Sequence, residues 1–198
     1  KCLALMDQVA RTGQSIVVTK NGKPVAELHP HRPPRAKSLI GLQKVKLEFA
    51  AIRVADRLKT LGSGEVIVLD THVLIWAASD DRKLGRKARA LIDRSWSTGN
   101  IAVPAIAFWE AGLLQARRRL QLPSPLREWR DALLTAGVHE LPLDGAIAVR
   151  SLDLSGLHDD PADRFIVATA LVHGATLMTA DDRLLDWRHP LERHDARK

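Results

Sequence analysis

One cysteine, Cys2, no tyrosine, three phenylalanines and two methionines are all that 198 residues hold of these types. A lone cysteine cannot close an internal disulfide, so a disulfide-stapled secreted scaffold is excluded and a reducing, cytoplasmic setting is the expectation. No stretch approaches the about 18 uninterrupted apolar residues of a membrane-spanning helix, and no basic-then-apolar leader opens the chain. The eight histidines show no pairing at ligand spacing and the cysteine lies far away, which argues against a zinc site. Lys1, in place of an initiator methionine, is read as a start inside a longer frame.

What is present divides the chain in two. Apolar residues make up 45% of it, ample for a core. Residues 1 to 64 carry 12 Lys/Arg against 4 Asp/Glu, net +8, whereas residues 65 to 198 carry 18 against 19, net −1. A basic first third suits nucleic acid or an acidic partner, and nothing in the sequence speaks for a membrane.

The first third reads as a small α+β unit. Leu3, Met6, Val9 and Ala10 recur at helical spacing up to Gly13, which predicts an amphipathic helix with a glycine cap. Two β-rich runs, Ile16 to Thr19 and Pro24 to Leu28, flank Asn21-Gly22, a hairpin signal because both residues tolerate positive φ. Pro30, Pro33 and Pro34 then break all periodicity, as in an extended arm. From Leu39 to Leu61, apolar residues at 42, 45, 49, 52 and 58 are compatible with a helix, at least in the second half. Gly62-Ser63-Gly64 is a short joint, equally readable as an engineered linker or a natural read-through.

Beyond the joint, VIVLDTHVLIWAA is a buried strand running into a turn, and IAVPA, VHELPL and ATLMTA are short apolar runs separated by helical stretches. That alternation predicts βαβ units around a mainly parallel sheet, whose ligands collect beyond the carboxyl ends of its strands. Four acids stand at the edges of these apolar runs: Asp70 after VIVL, Glu110 closing AIAFWE, Asp163 heading DRFIVATAL and Asp181 after LMTA. Backbone buried on both sides, with a carboxylate aimed into a cleft, predicts a carboxylate-only pocket. Such a pocket suits Mg²⁺ or Mn²⁺, hard cations that prefer oxygen ligands. Crowded carboxylates raise one another's pKa unless a cation neutralises them, so metal occupancy is expected, and with it phosphodiester hydrolysis. Thr71 and Thr179 stand where they can orient waters or phosphate oxygens, and Asp160 and Asp182 are the nearest alternates.

Other conspicuous residues have plainer readings. Asp80, Asp182 and Asp186 are expected to be surface or capping residues, and Asp159 and Asp160 to start a helix at Pro161. Trp76, Trp109 and Trp129 are expected in the core. The run Arg117, Arg118, Arg119 reads as a solvated helix face, with RNA-backbone contact as the second reading.

The stretches VIVLDTHVLIW, AIAFWEAGLL, DDPADRFIVATAL and LMTADDRLL resemble, in order, the acidic motifs of the PIN-domain family, specifically the VapC-type toxin ribonucleases, over residues 66 to about 190. The resemblance implies a three-layer α/β/α fold, Mg²⁺- or Mn²⁺-dependent RNA cleavage, and Asp70, Glu110, Asp163 and Asp181 as catalytic metal-site positions. The stretch LMDQVARTGQSIVVTKNGKPVAELHPHR resembles the Phd/YefM antitoxins, which dimerise, bind operator DNA and wrap a toxin with their tail. The implied domains are 1–32, a dimerising DNA-binding unit; 33–64, tail and linker; and 65–198, the nuclease.

The leading expectation is therefore a metal-dependent endoribonuclease toxin and its antitoxin on one chain. Arg53 and Arg57, with Lys46 behind them, are candidates to enter the carboxylate pocket and inhibit it. Arg11, Lys20 and Lys23 are candidates for DNA phosphates. A helix rises about 1.5 Å per residue, so a tail unable to fold back in cis would dock on a second copy, giving a swapped homo-oligomer. Alternatives are a DNA-binding autorepressor with a permanently occluded nuclease site and, behind it, a structure-specific DNA nuclease.

Overall fold

The computed structural model describes residues 5, 6, 8, 9, 12, 14–20, 23–28, 38–42 and 64–198. Residues 5, 6, 8, 9 and 12 are helical, with Val9 buried. Strands β1 (Ile16–Lys20) and β2 (Lys23–Leu28) pair antiparallel from Ile16–Leu28 to Lys20–Lys23, with an irregularity between Val18 and Thr19. Asn21 and Gly22 lie outside the described residues, as do Cys2 and Arg11; of Lys20 and Lys23 only the backbone is described.

The rest is a five-stranded sheet. β3 (Ile67–Leu69), β4 (Ile101–Pro104), β5 (His139–Leu141), β6 (Thr176–Thr179) and β7 (Arg193–Asp195) stand in the order β5-β4-β3-β6-β7. Every pairing is parallel. The helices are α1 (Thr71–Ser79), α2 (Arg86–Thr98), α3 (Ala105–Ala116), α4 (Leu126–Ala136), α5 (Gly145–Leu152), α6 (Pro161–Val172) and the single turn α7 (Asp182–Leu185). Strand β7 had no forecast; its RHD sequence lacks the apolar signature of a buried strand and its position at the sheet edge explains why.

Strand periodicity of two divides the sheet's side chains between two cores. Ile67, Leu69, Ile101, Val103 and Met178 face one way, against Val73, Leu74 and Ala77 of α1, Ile92 and Trp96 of α2, Phe108 of α3, and Trp129 and Leu133 of α4. Val68, Ala102 and Leu177 face the other way, against Ile147 of α5, Ile166 and Val167 of α6, and Leu184 of α7. Both faces are covered, so the central strands are continuous buried runs, and the architecture is three-layer α/β/α. Among the described residues, no helix is long and apolar enough to cross a membrane.

The first of these cores is completed from outside the sheet domain. Residues 38–42 form a turn at the point where the sequence left helix and strand open, and Leu39 (0% exposed) and Leu42 enter the core beside Ala77. The Gly41 N–H donates to the Ala77 carbonyl at 2.8 Å, near the C-terminal end of α1. Gly41 has φ 74, a left-handed conformation that its missing Cβ makes cheap. Ser38 Oγ donates to Asp93 on α2 and accepts from the Ile40 N–H at 2.9 Å. Residues 43–61, with the rest of the helical forecast, lie outside the described residues.

Leu39→Ala in the full chain is expected to cost about 2–5 kcal/mol, the range for emptying a buried leucine site. Urea unfolding measures it, and a loss near zero would show that residues 38–42 do not belong to this core.

Candidate active site

The chain runs outward from β3 through β4 to β5 and then crosses to β6 on the other side of β3, so the order reverses at β3. In parallel sheets such a reversal opens a crevice at the strands' carboxyl ends. Asp70 follows β3 and Asp181 follows β6 at this place. The Asp70 N–H donates to the Met178 carbonyl at 3.0 Å, extending the β3–β6 ladder to the carboxylate-bearing residue itself.

Asp70 is the N-cap residue of α1 by backbone, yet its side chain makes no capping hydrogen bond. The carboxylate is 3% exposed and accepts from Thr179 Oγ1 at 2.6 Å. Burial pushes its pKa from 3.8 up to about 6; Thr179 and His72 oppose the rise, and the negative Asp163 and Glu110 add to it. Glu110, half-buried on α3, accepts from Thr71 Oγ1 at 2.7 Å. Its pKa is raised by burial first, with Asp163 and Asp160 adding and Thr71 and His72 opposing.

Asp163 lies in the first turn of α6. Asp160 caps that helix by accepting from the Ala162 N–H at 3.0 Å, and Pro161 fits the N-terminal position that needs no donor. With the cap supplied by Asp160, the Asp163 carboxylate turns into the cleft, where it is nearly buried. Its Oδ2 lies 2.6 Å from His158 Nε2. Burial raises its pKa, Asp160 and Asp181 add to the rise, and the hydrogen bond to His158 resists it.

Asp181 differs from the other three. It caps α7 by accepting from the Arg183 N–H at 2.8 Å, and Arg183 Nη2 lies 2.6 Å from its Oδ2. The Arg183 hydrogen bond holds its pKa below the ordinary carboxylate value. The same Arg183 Nη2 reaches Asp163 Oδ2 at 3.3 Å. Thr179 Oγ1, which donates to Asp70, also accepts from the Asp181 N–H at 3.1 Å, so one hydroxyl ties the first acid to the fourth.

The four forecast acids thus gather with both forecast threonines. Asp70, Glu110 and Asp163 form an electrostatically linked group, and Asp163 links in turn to Asp181. Two members escaped the sequence reading, His158 and Arg183. Their only signal was nearness, five residues before Asp163 and two after Asp181, which a histidine without a partner at ligand spacing did not reveal.

The donor set fits a divalent cation. Burial drives three carboxylates toward protonation; among the described residues Asp70 and Glu110 are braced by hydroxyl donors and Asp163 by His158 and the exposed Arg183, so a positive charge between the three stabilises them together. Oxygen donors in this number suit Mg²⁺ or Mn²⁺.

The bland readings fare unevenly. Asp182 is exposed and pairs with Arg197 at 2.6 Å, Asp80 closes α1 at φ 57 and pairs with Arg89, and Asp186 ends α7. Trp129 is buried, edge-on to Phe108 at 6.0 Å, and Trp76 is half-buried under Lys83. Trp109 is a correction: it is 54% exposed. Phe108 and Ala111 take the core side of α3, and the 100° turn between successive helical residues carries Trp109 outward. It borders an open groove of about 440 Å³ with Phe108, Leu126, Arg127, Arg130 and Asp131. Arg117, Arg118 and Arg119 are exposed just past the end of α3. Lys46, Arg53 and Arg57 lie outside the described residues.

A family model described as the PIN domain matches residues 67–189. Ribonuclease VapC22 of Mycobacterium tuberculosis is 34% identical over 125 residues, which span 63% of this chain and 93% of that protein. Solved structures with the same overall likeness include a chain of a toxin–antitoxin complex from Klebsiella pneumoniae, 23% identical with a TM-score of 0.46, over 66% of this chain and 97% of that one. Another is a chain of VapBC2 from Rickettsia felis, solved with a DNA fragment from its promoter, 14% identical with a TM-score of 0.48, over 66% and 98%.

Since the pKa of Asp70 in the fold, about 6, lies above its ordinary 3.8, the metal-free fold binds this proton more tightly than the unfolded chain does. The group's contribution is complete below about pH 4 and is lost as pH rises through about 6. Asp70→Asn should therefore stabilise the EDTA-treated protein at pH 8, by on the order of 3 kcal/mol at most, and the gain should fade toward pH 4. Thermal melts across this range decide it; a variant less stable than the parent at pH 8 would contradict a buried, ionised Asp70.

Proposed function

The chain belongs to the PIN-domain family, and from that premise we propose that it is a VapC-like endoribonuclease, dependent on Mg²⁺ or Mn²⁺, held beside its own antitoxin segment. The observation that carries the nuclease reading is the gathering of Asp70, Glu110 and Asp163 at the strand-order reversal, each with its pKa raised and two of them braced by threonine hydroxyls. The relative named as a ribonuclease supports RNA as the substrate.

Asp70, Glu110 and Asp163 would hold the metal, with Asp181 reaching it from the β6 side. When bound, the ion supplies an acidified water and charge neutralisation for the phosphodiester. The chain's residues do the rest. Thr71 and Thr179 each occupy one carboxylate oxygen, which fixes Glu110 and Asp70 and leaves their remaining lone pairs for the site. The leucines and valines beneath the strand ends keep bulk water from the floor of the cleft. The exposed face of Trp109 can stack a base and Arg117 to Arg119 can meet backbone phosphates.

The antitoxin reading rests on the first third. A helical stretch followed by the β1–β2 hairpin matches the Phd/YefM-like order, and Leu39 and Leu42 embedded in the nuclease core support a tail that grips the nuclease within one chain. Domains of 1–32, 33–64 and 65–198 follow from it. Val17 and Val25, exposed on the hairpin, suit pairing with a second copy, and the net charge of +8 in residues 1–64 suits operator DNA through Arg11, Lys20 and Lys23. Arg53, Arg57 and Lys46 would inhibit by pairing with the carboxylates.

Labelled RNA and DNA, incubated with the full chain in Mn²⁺, Mg²⁺ or EDTA, test this. RNA cleavage should require the cation, fall at least about 100-fold in Asp163→Asn, and rise when Lys46, Arg53 and Arg57 are all changed to alanine. Cleavage confined to DNA would favour the DNA-nuclease reading. No cleavage of either by the triple variant under any metal, together with DNA binding that weakens steeply with salt, would favour the autorepressor.

A further inference from the structure

We propose that His158 is a nitrogen ligand of the metal held by Asp163 and Asp181, and that it gives this site a preference for Mn²⁺ over Mg²⁺. The inference rests on the metal-dependent reading above and adds to it a donor of a different chemical kind.

Donor spacing is the first support. One ligand atom each from His158, Asp163 and Asp181 lie within 4.8 Å of one another. Around an ion with bonds of about 2.1 Å, neighbouring octahedral donors stand about 3 Å apart and opposite ones about 4.2 Å. The three atoms are therefore close enough for one ion to gather them after small shifts, the His158–Asp163 pair opening from its 2.6 Å contact.

A resident cation marks the same spot. Arg183 Nη2 lies 2.6 Å from Asp181 Oδ2 and 3.3 Å from Asp163 Oδ2, the oxygen that also meets His158 Nε2 at 2.6 Å. Positive charge is stabilised between these two carboxylates. Arg183 is itself well exposed, so its guanidinium can withdraw toward solvent when an ion takes its place.

The position of His158 is built rather than incidental. Arg164 donates to two carbonyls at the end of α5, Ser151 at 2.9 Å and Leu152 at 3.3 Å, and to two of the loop that carries His158, Leu157 at 3.1 Å and His158 itself at 3.3 Å. The Asp160 cap then fixes the turn from His158 into α6. A ring held this way loses little freedom when it binds. Ligation needs the neutral ring with its proton on Nδ1, so that the Nε2 lone pair turns to the ion.

Selectivity follows from donor type. Mg²⁺ favours an all-oxygen shell and keeps its waters, whereas imidazole suits first-row transition ions such as Mn²⁺ better. The competing role for His158 is a hydrogen-bond donor that only steadies Asp163, which would leave the ion in an oxygen shell.

Pulsed electron paramagnetic resonance on Mn²⁺ bound to the full chain separates the two. Expected is a coupling from a directly bound ¹⁴N that disappears in His158→Gln and persists in His72→Gln, a second histidine whose charge acts on Asp70. Calorimetry should show His158→Gln weakening Mn²⁺ at least about tenfold and Mg²⁺ less than about threefold. Bound Mn²⁺ with no ¹⁴N coupling in the parent chain, or a coupling that survives His158→Gln, overturns the ligand assignment and leaves the metal-dependent nuclease intact. Absence of Mn²⁺ binding overturns both. The parent spectrum is decisive even if His158→Gln fails to fold.

Discussion

Three carboxylates placed within one low-dielectric cleft are the constraint around which this domain is organised. Each would rather be solvated, and each raises the others' cost of ionising. Asp70 bears most of the strain because β3 is the central strand and buries the first residue after it from both faces. Among the described residues, no lysine or arginine is hydrogen-bonded to Asp70 to remove that cost. The surrounding structure answers with neutral donors, Thr179 for Asp70 and Thr71 for Glu110, which orient the carboxylates without cancelling their charge. A site intended only for stability would not be arranged this way, since an apolar residue at position 70 would pack better.

Holding such a cluster requires a rigid frame, and the two cores supply it. Ile67 and Leu69 anchor β3 on one face while Val68 anchors it on the other, so the strand cannot slip by one residue without driving every side chain into the opposite core. That is also why the acids were legible in the sequence. A continuous apolar run ending in an acid is costly unless the acid is used, and VIVLD and LMTAD both carry that pattern. Glu110 and Asp163 were legible for the same reason on helices. His158 and Arg183 were not, because their contact with the cluster depends on the turn before α6 and the single-turn α7, whose shapes come from Arg164 bridging distant carbonyls and Asp181 capping its own helix. Tertiary hydrogen bonds of this kind leave no periodicity. Trp109 misled for a related reason: an apolar stretch that forms a helix must still turn some residue outward.

The turn at residues 38–42 joins the chain's two charge classes. Leu42 stood in a stretch whose first half the sequence left open between helix and strand, and in the fold Leu39 and Leu42 enter the core from a turn. Burial of two leucines is worth several kcal/mol, a large part of a domain's net stability. The described residues on either side of residues 43–61, Leu42 before them and β3 after them, are both part of this core.

The electrostatics of the site constrain where further positive charge can enter. The place between Asp163 and Asp181 already holds the guanidinium of Arg183, contributed by the nuclease itself. A second guanidinium would meet like charge there unless Arg183 swung away, whereas among the described residues the hydrogen-bond donors to Asp70 and Glu110 are the neutral hydroxyls of Thr179 and Thr71. Added positive charge is therefore better accommodated beside Asp70 and Glu110 than beside Asp181. A cation at that side, divalent ion or guanidinium alike, would relieve the carboxylate that burial strains most, and the buried Asp70 sets the depth of that electrostatic strain.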